Sequence, residues 1–136
     1  MSSIKLLRVE DLEKSDDLYH HPSWEKVDEF LRSLDGVSVT YITLYKSDDI
    51  NDDEYLTVGG GAGYYVCEYV SGGTVYYLTG DEDVKPGETI NIPVRDVEEI
   101  PKKYCIRFEE LYPNIRYFYE HGVLHPDYPW DKKKAK

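Results

Sequence analysis

The residues of this chain that could carry chemistry are mostly acidic, and they gather in two runs at residues 48–54 and 81–83. An EF-hand calcium loop that begins at Asp49 needs glycine at its sixth position and glutamate at its twelfth, but the chain has Glu54 and Gly60 there. We therefore interpret both runs as solvated loops without a metal ion, whose carboxylates can meet a basic partner. The candidate contacts are Asp48, Asp49, Asp52, Asp53, Glu54, Asp81, Glu82 and Asp83.

A cluster of glycines follows the first acidic run. Gly59 and Gly61 match the start of the dinucleotide-binding pattern G-x-G-x-x-G, but Tyr64 stands where its last glycine should be. The segment after the cluster alternates like a strand, so no helix N-terminus follows that could hold a phosphate. We expect Gly59, Gly60 and Gly61 to form a bend, a bulge or a close approach of two backbones, and we expect no cofactor.

Histidine and cysteine give no recognisable catalytic or metal site. The four histidines form one adjacent pair and one i, i+4 pair that a glycine interrupts, which is not the spacing of a metal site. The two cysteines are far apart in apolar surroundings, which predicts buried free thiols in a reducing compartment. We therefore expect no enzyme activity. These residues are His20, His21, His121, His125, Cys67 and Cys105.

The balance of charges favours a basic protein as the partner. The 136 residues include 27 acids and 16 lysines or arginines, for a net charge of −11. Such a surface repels nucleic acids and anionic membranes, although many acidic proteins carry this charge for solubility alone. Tyrosine is common in binding surfaces, and we single out Tyr64 and Tyr65 as candidate contacts near the acidic loops. The first residues lack a signal-peptide pattern and no apolar run could span a membrane, which predicts a cytoplasmic protein.

Two helical regions are predicted, one on each side of a series of strands. Apolar residues recur at helical spacing over residues 24–34, and Ser23 is a suitable N-cap. The last third is predicted to be helical from the acidic residues 96–99 onward. We expect a kink or break at Pro113 and the end of the helix at Gly122.

Five strands are predicted between the helices, joined by turns too short for crossover helices. The chain is therefore predicted to have an α+β fold, in which an antiparallel meander of about five strands carries both helices on one face. We expect a single domain over residues 1–136, with a partly irregular lead-in at 1–20 and a frayed tail at 131–136. The strands are 37–46, 54–58, 64–70, 74–79 and 89–93.

Short motifs from residue 37 to residue 130 form an ordered series. They are the strand Tyr41-Ile-Thr-Leu-Tyr45, the strand with glycines Tyr55-Leu-Thr-Val-Gly-Gly-Gly61, the strand start Tyr64-Tyr-Val, Gly87 ahead of a short strand that ends at Pro93, the helix end Phe118-Tyr-Glu-His-Gly122, Pro126 and Trp130. This series resembles the Imm1 family of bacterial immunity proteins, which belong to polymorphic toxin systems. The family's final helix is usually alanine-rich and uninterrupted, whereas this one carries Tyr104, Tyr112 and Pro113.

The resemblance implies a protein that binds the catalytic domain of a toxin encoded beside it and performs no chemistry itself. Toxins paired with this family include nucleases and nucleic-acid deaminases, whose substrates are polyanions held in basic grooves. An acidic protein is suited to occlude such a groove. The motif residues Gly59, Gly60, Gly61, Gly122, Pro126 and Trp130 are interpreted as structural. Two alternatives stay open: an acidic regulatory or scaffold binding domain unrelated to toxins, and a small hydrolase.

Overall fold

A seven-stranded antiparallel sheet forms the centre of the protein. The computed structural model describes residues 2–11, 17–35, 38–61, 63–80, 87–94 and 96–134. Six strands of this sheet are β1 (Leu6–Asp11), β2 (Asp17–His20), β3 (Val39–Tyr45), β4 (Glu54–Gly61), β5 (Tyr64–Ser71) and β6 (Thr74–Leu78). The seventh is β9 (Trp130–Lys134), which follows two strands of a separate hairpin in the chain. They lie in the order β2-β1-β3-β4-β5-β6-β9, and all neighbours are antiparallel.

Two α-helices cover one face of this sheet. Helix α1 (Trp24–Ser33) begins as predicted at Ser23, whose hydroxyl accepts a hydrogen bond of 3.1 Å from the Lys26 N–H. Helix α2 (Phe108–His121) ends at Gly122, which has a φ of 71° and donates its N–H to the Phe118 carbonyl at 2.8 Å. The helices contact each other where the ring of Trp24 lies 5.4 Å from that of Tyr119.

The main core lies between the helices and the sheet because alternate strand residues face them. The helices contribute Val27, Leu31, Leu111, Ile115 and Phe118, and the sheet contributes Leu7, Val9, Ile42, Leu44, Leu56, Val58, Cys67 and Leu78. Each of these side chains is almost completely buried, and the burial of such apolar side chains is the main free energy that favours folding. The predicted α+β fold with both helices on one sheet face is confirmed.

A separate hairpin packs against part of the opposite face of the sheet. Strands β7 (Thr89–Val94) and β8 (Asp96–Pro101) pair only with each other among the described residues, and a short 3₁₀ helix (Lys102–Tyr104) follows. Ile92 of β7 is fully buried against Val66 and Cys105, which makes a second, smaller core. The prediction that residues 89–93 form a strand is confirmed, but this strand is not part of the main sheet.

Strands at both ends of the sequence extend the sheet beyond the five that were predicted. Within the lead-in at 1–20, Leu6–Asp11 and Asp17–His20 form β1 and β2, which pair with each other and with β3. Within the tail from 131, the described residues continue β9 as far as Lys134. The predicted start of the final helix and the predicted break within it are wrong. Residues 96–99 belong to β8, so the final helix begins only at Phe108. From there it continues through Pro113 as one element, without the break that the proline suggested.

Candidate functional site

The first acidic run forms a loop between β3 and β4, at one end of the sheet. Asp49 and Asp52 serve mainly to hold this loop in shape. Asp52 accepts hydrogen bonds from the Ser47 hydroxyl at 2.6 Å and from the Glu54 N–H at 3.1 Å. These bonds favour the charged form and lower the pKa of Asp52, with the Ser47 hydroxyl as the main cause. Asp49 accepts a hydrogen bond of 2.9 Å from the Asn51 N–H.

The other acids of this loop differ in how far their carboxylates are exposed to solvent. Glu54 is half-buried, forms an ion pair of 3.2 Å with Lys46, and accepts a hydrogen bond from the Tyr69 hydroxyl. Burial, followed by this bond to Glu54, raises the pKa of Tyr69 to about 12. Asp48 and Asp53 are exposed, and the Nδ1 atom of exposed His20 lies 3.3 Å from a carboxylate oxygen of Asp48. The exposed acids of this loop are therefore Asp48, Asp49 and Asp53, and of these Asp49 also accepts a hydrogen bond from the loop backbone.

Tyr64 and Tyr65 lie at the opposite end of the sheet from the acidic loop. Tyr64 pairs with Gly61, and Gly61 is seven positions from Glu54 along β4, or about 23 Å at ~3.3 Å per residue. The two tyrosines also face opposite sides of the sheet. The Arg107 guanidinium covers the ring of Tyr64 at 5.3 Å, and the ring of Tyr65 packs against Phe108 on the helix side at 5.9 Å. The acidic loop and these two tyrosines do not form one surface.

The second acidic run, Asp81 to Asp83, lies outside the described residues. The prediction of buried free thiols is confirmed for both Cys67 and Cys105. Burial raises the pKa of both thiols, that of Cys105 to about 11. In the described part of the chain, no three His, Cys, Asp or Glu side chains are close enough together to hold a metal ion. Over the same residues, no helix is long and apolar enough to cross a membrane.

A cleft that the sequence analysis missed lies on the sheet face that the helices leave uncovered. Its volume is about 300 Å³, and we call it the open-face cleft. It lies between the acidic loop, which contributes Ile50, and the β7–β8 hairpin, whose small core includes Tyr41. Its described lining is Arg8, Glu10, Tyr41, Thr43, Tyr45, Ile50, Tyr55, Thr57 and Glu68.

The strand register explains how distant residues meet in this cleft. Arg8, Thr43, Thr57 and Glu68 are direct partners across β1, β3, β4 and β5, so their side chains form one row on the same face. The alternation of Tyr41, Thr43 and Tyr45 in the sequence of β3 predicts that their side chains share one face of the sheet, and all three line the cleft. Arg8 and Glu10 could not be found in the same way, because β1 itself was not predicted.

The comparison with known proteins decides the family. The family described as Immunity protein Imm1 matches residues 17–132 of the chain. The chain belongs to the Imm1 family. It is therefore an immunity protein that acts against a toxin, and its family suggests a non-enzymatic, inhibitory role. No curated protein and no solved structure matches this Imm1 protein.

Two of the motif glycines of this Imm1 protein, Gly60 and Gly61, lie where a side chain has no space. A Cβ atom on Gly60, which has a φ of 117°, would be 2.5 Å from the Tyr64 carbonyl oxygen. A Cβ atom on Gly61 would be 2.5 Å from the carbonyl carbon of Asp35, just after α1. Glycine at 61 thus lets the end of α1 lie directly against β4.

The last motif residues of the Imm1 protein lie after α2. Pro126 is exposed in a turn in which the Tyr128 N–H donates to the His125 carbonyl at 3.4 Å. Trp130 is half-buried, packs against the main core and pairs with Leu78 at the start of β9. Its indole N–H is buried and has no partner within the described residues. Trp130 thus packs the start of the last strand against the main core.

Proposed function

We propose that this Imm1 protein binds the catalytic domain of a bacterial toxin, a nuclease or a nucleic-acid deaminase, and inhibits it by covering its basic substrate groove. The protein acts in the cytoplasm of the cell that makes the toxin, and it takes no part in the chemistry. The observation that carries this proposal is the family match together with a net charge of −11.

Electrostatics supports this choice of partner. An enzyme that acts on a nucleic acid presents lysine and arginine to the phosphates, and an acidic protein occupies the same field. Attraction between opposite charges also speeds association, which benefits a protein that must neutralise its toxin before damage occurs. The exposed carboxylates of Asp48 and Asp53 are our candidate contacts at the rim of the interface.

The direct experiment is titration of the purified protein into the toxin domain encoded immediately upstream of its gene, followed by a nuclease or deaminase assay. We expect one-to-one binding, loss of toxin activity, and an association rate that falls as salt is added, because the charges are then screened. If the two proteins do not bind at low salt, the proposed function is wrong.

A charge-reversal pair tests the acidic loop separately. The double variant Asp48→Lys/Asp53→Lys should slow association about tenfold or more, since rim charges act mainly on the on-rate. Its matched control is Glu29→Lys/Glu120→Lys, which changes the net charge equally but on exposed positions of α1 and α2. Equal rates for the two double variants would remove the acidic loop from the interface and leave only a general charge effect.

A further inference from the structure

We propose that the outer edge of β2 is the docking strand of this protein, to which the toxin domain adds an extended segment that carries lysine or arginine. This inference rests on the proposed function for the identity of the partner, and it adds the backbone surface on which that partner pairs. The main sheet then continues from this protein into the toxin domain, and the acidic loop forms one rim of the contact.

The backbone of β2 has hydrogen-bonding groups that no described strand uses. In the order of the sheet β2 is at one end, and its neighbour among the described strands is β1. The His21 N–H donates to the Lys5 carbonyl at 2.8 Å, which continues the register of this pair by one position. Because the bonds of an antiparallel pair alternate along each strand, the N–H and C=O groups of Leu18 and His20 point outward.

This edge is open to solvent and joins the open-face cleft. Leu18 is 42% exposed, and His20 is exposed as well. Leu18 is the partner of Arg8 across β1 and β2, and Arg8 lines the cleft, so the edge and the cleft form one continuous surface. An extended segment added to β2 can therefore bond the backbone of the edge and pack an apolar side chain against Leu18.

The charges next to this edge favour a basic segment. Asp17 is exposed and forms no ion pair with any described residue. The Nδ1 atom of His20 lies 3.3 Å from a carboxylate oxygen of Asp48, which places the acidic loop beside β2. The ammonium group of Lys26 lies over the ring of Tyr19 at 5.3 Å, on the helix side of the sheet. Complementary charge at the rim speeds association and selects the partner.

The opposite edge of the sheet is unsuited to the same partner. The strand at that edge, β9, contains three consecutive lysines, Lys132, Lys133 and Lys134. Lysine in an edge strand opposes the addition of another strand, and it repels a basic segment in particular. Of the two ends of the main sheet, β2 is therefore the one that a basic segment can extend.

Hydrogen exchange measured by NMR tests this pairing directly, with labelled protein and the unlabelled toxin domain encoded upstream. The amides of Leu18 and His20 should exchange at least about tenfold more slowly in the complex, because they then donate to the partner. The matched control is the amide of Lys132. The Thr79 N–H donates to the Pro129 carbonyl at 3.0 Å, so by the same alternation the Lys132 N–H points outward from β9, and its exchange rate should not change.

Two substitutions at one position separate the backbone contact from the side-chain contact. Leu18→Ala removes the apolar side chain but keeps the N–H, and it should weaken binding about fivefold. Leu18→Pro also removes the outward N–H, and it should weaken binding about tenfold further. An edge strand tolerates proline where the N–H faces solvent, and urea unfolding shows whether the variant is folded. If it is not, the exchange rates of the parent protein decide.

A charge reversal tests the basic character of the added segment. Asp17→Lys should weaken binding about tenfold, because it places a positive charge against the lysine or arginine of the partner. Glu29→Lys makes the same change on an exposed position of α1 and should alter binding less than about twofold.

The outcomes separate this inference from the proposed function. If the parent protein inhibits the toxin domain but the amides of Leu18 and His20 exchange as in the free protein, only this inference is wrong. It is also wrong if Leu18→Pro binds like Leu18→Ala, or if Asp17→Lys binds like Glu29→Lys. Protection of the same amides in the protein alone, as its concentration rises, would make a second copy the occupant and overturn the inference. If the parent protein does not bind the toxin domain, both proposals are overturned.

Discussion

Replacing Gly61 with alanine tests how closely α1 and β4 pack. A Cβ atom at this position would be 2.5 Å from the carbonyl carbon and 2.7 Å from the Cα atom of Asp35, distances that real Cβ atoms do not reach. The backbone of Asp35 cannot easily move away. Its N–H donates to the Val39 carbonyl at 3.2 Å, and its carboxylate accepts from the N–H groups of Ser38 and Val39 at 2.7 and 3.0 Å.

Two effects destabilise the folded state of the Gly61→Ala variant, and their free energies add. The φ of Gly61 is 152°, a conformation that residues with a side chain rarely adopt, and this strain costs about 1–3 kcal/mol. The collision with the Asp35 backbone adds about 1–3 kcal/mol, as overpacking in a dense interior does. We therefore expect Gly61→Ala to lower the free energy of unfolding by about 2–6 kcal/mol, a large part of the stability of a domain of this size.

Gly72→Ala is the matched control for this prediction. Gly72 also has a positive φ, 53°, but no atom lies within 4 Å of the site where its Cβ would be, so only the conformational cost of about 1–2 kcal/mol applies. Urea unfolding measures both variants, and an m-value of about 1–3 kcal/mol per molar places the midpoint of Gly61→Ala well below that of Gly72→Ala. Equal midpoints would refute the claim that the Asp35 backbone is fixed against β4.

Three further predictions concern stability. Trp130→Ala should lower the free energy of unfolding by about 3 kcal/mol in urea titrations, the low end for a buried tryptophan, because Trp130 is half-buried against the main core; an unchanged midpoint would show that it does not anchor β9. Asp52→Asn should lower the melting temperature more than Asp53→Asn, because the carboxylate of Asp52 holds the loop and Asp53 is exposed; equal melting temperatures would contradict that role. Burial raises the pKa of Cys105 from 9.0 to about 11, so the folded state holds this proton more tightly than the unfolded state. The free energy of unfolding should therefore fall as pH rises from about 9 to about 11, and it should fall less steeply in Cys105→Ala.

Sequence patterns predict the elements whose signals are local. Helix α1 has an N-cap, Ser23, and apolar residues at helical spacing, and the central strands alternate between faces. Strand β1 lacks such a pattern, because the neighbouring residues Leu6 and Leu7 are both buried, one on each face of the sheet. Strand β9 is rich in lysine, and its pairing with β6 depends on contacts with a distant part of the chain.

The candidate site was only partly predictable for the same reason. The acidic loop lies within one stretch of sequence, so it could be found, although its division into structural and exposed acids could not. Tyr64 and Tyr65 were grouped with both acidic loops, but the sheet places them at the end opposite the first one. The open-face cleft combines residues of four strands and one loop, and nothing in the sequence gives the register that brings Arg8 and Glu68 into one row.

The pairing of β6 with β9 has a consequence for the order in which the protein folds. Strands β4, β5 and β6 are joined by tight turns, so they can pair as soon as the chain collapses. The partner of Leu78 is Trp130, and the whole of β7, β8 and α2 lies between them in the chain. Closing such a long loop costs more chain entropy than closing a hairpin turn, so this pairing forms late. Refolding should therefore protect the backbone amides of β4 and β5 from hydrogen exchange before those of β9, which completes one edge of the sheet last.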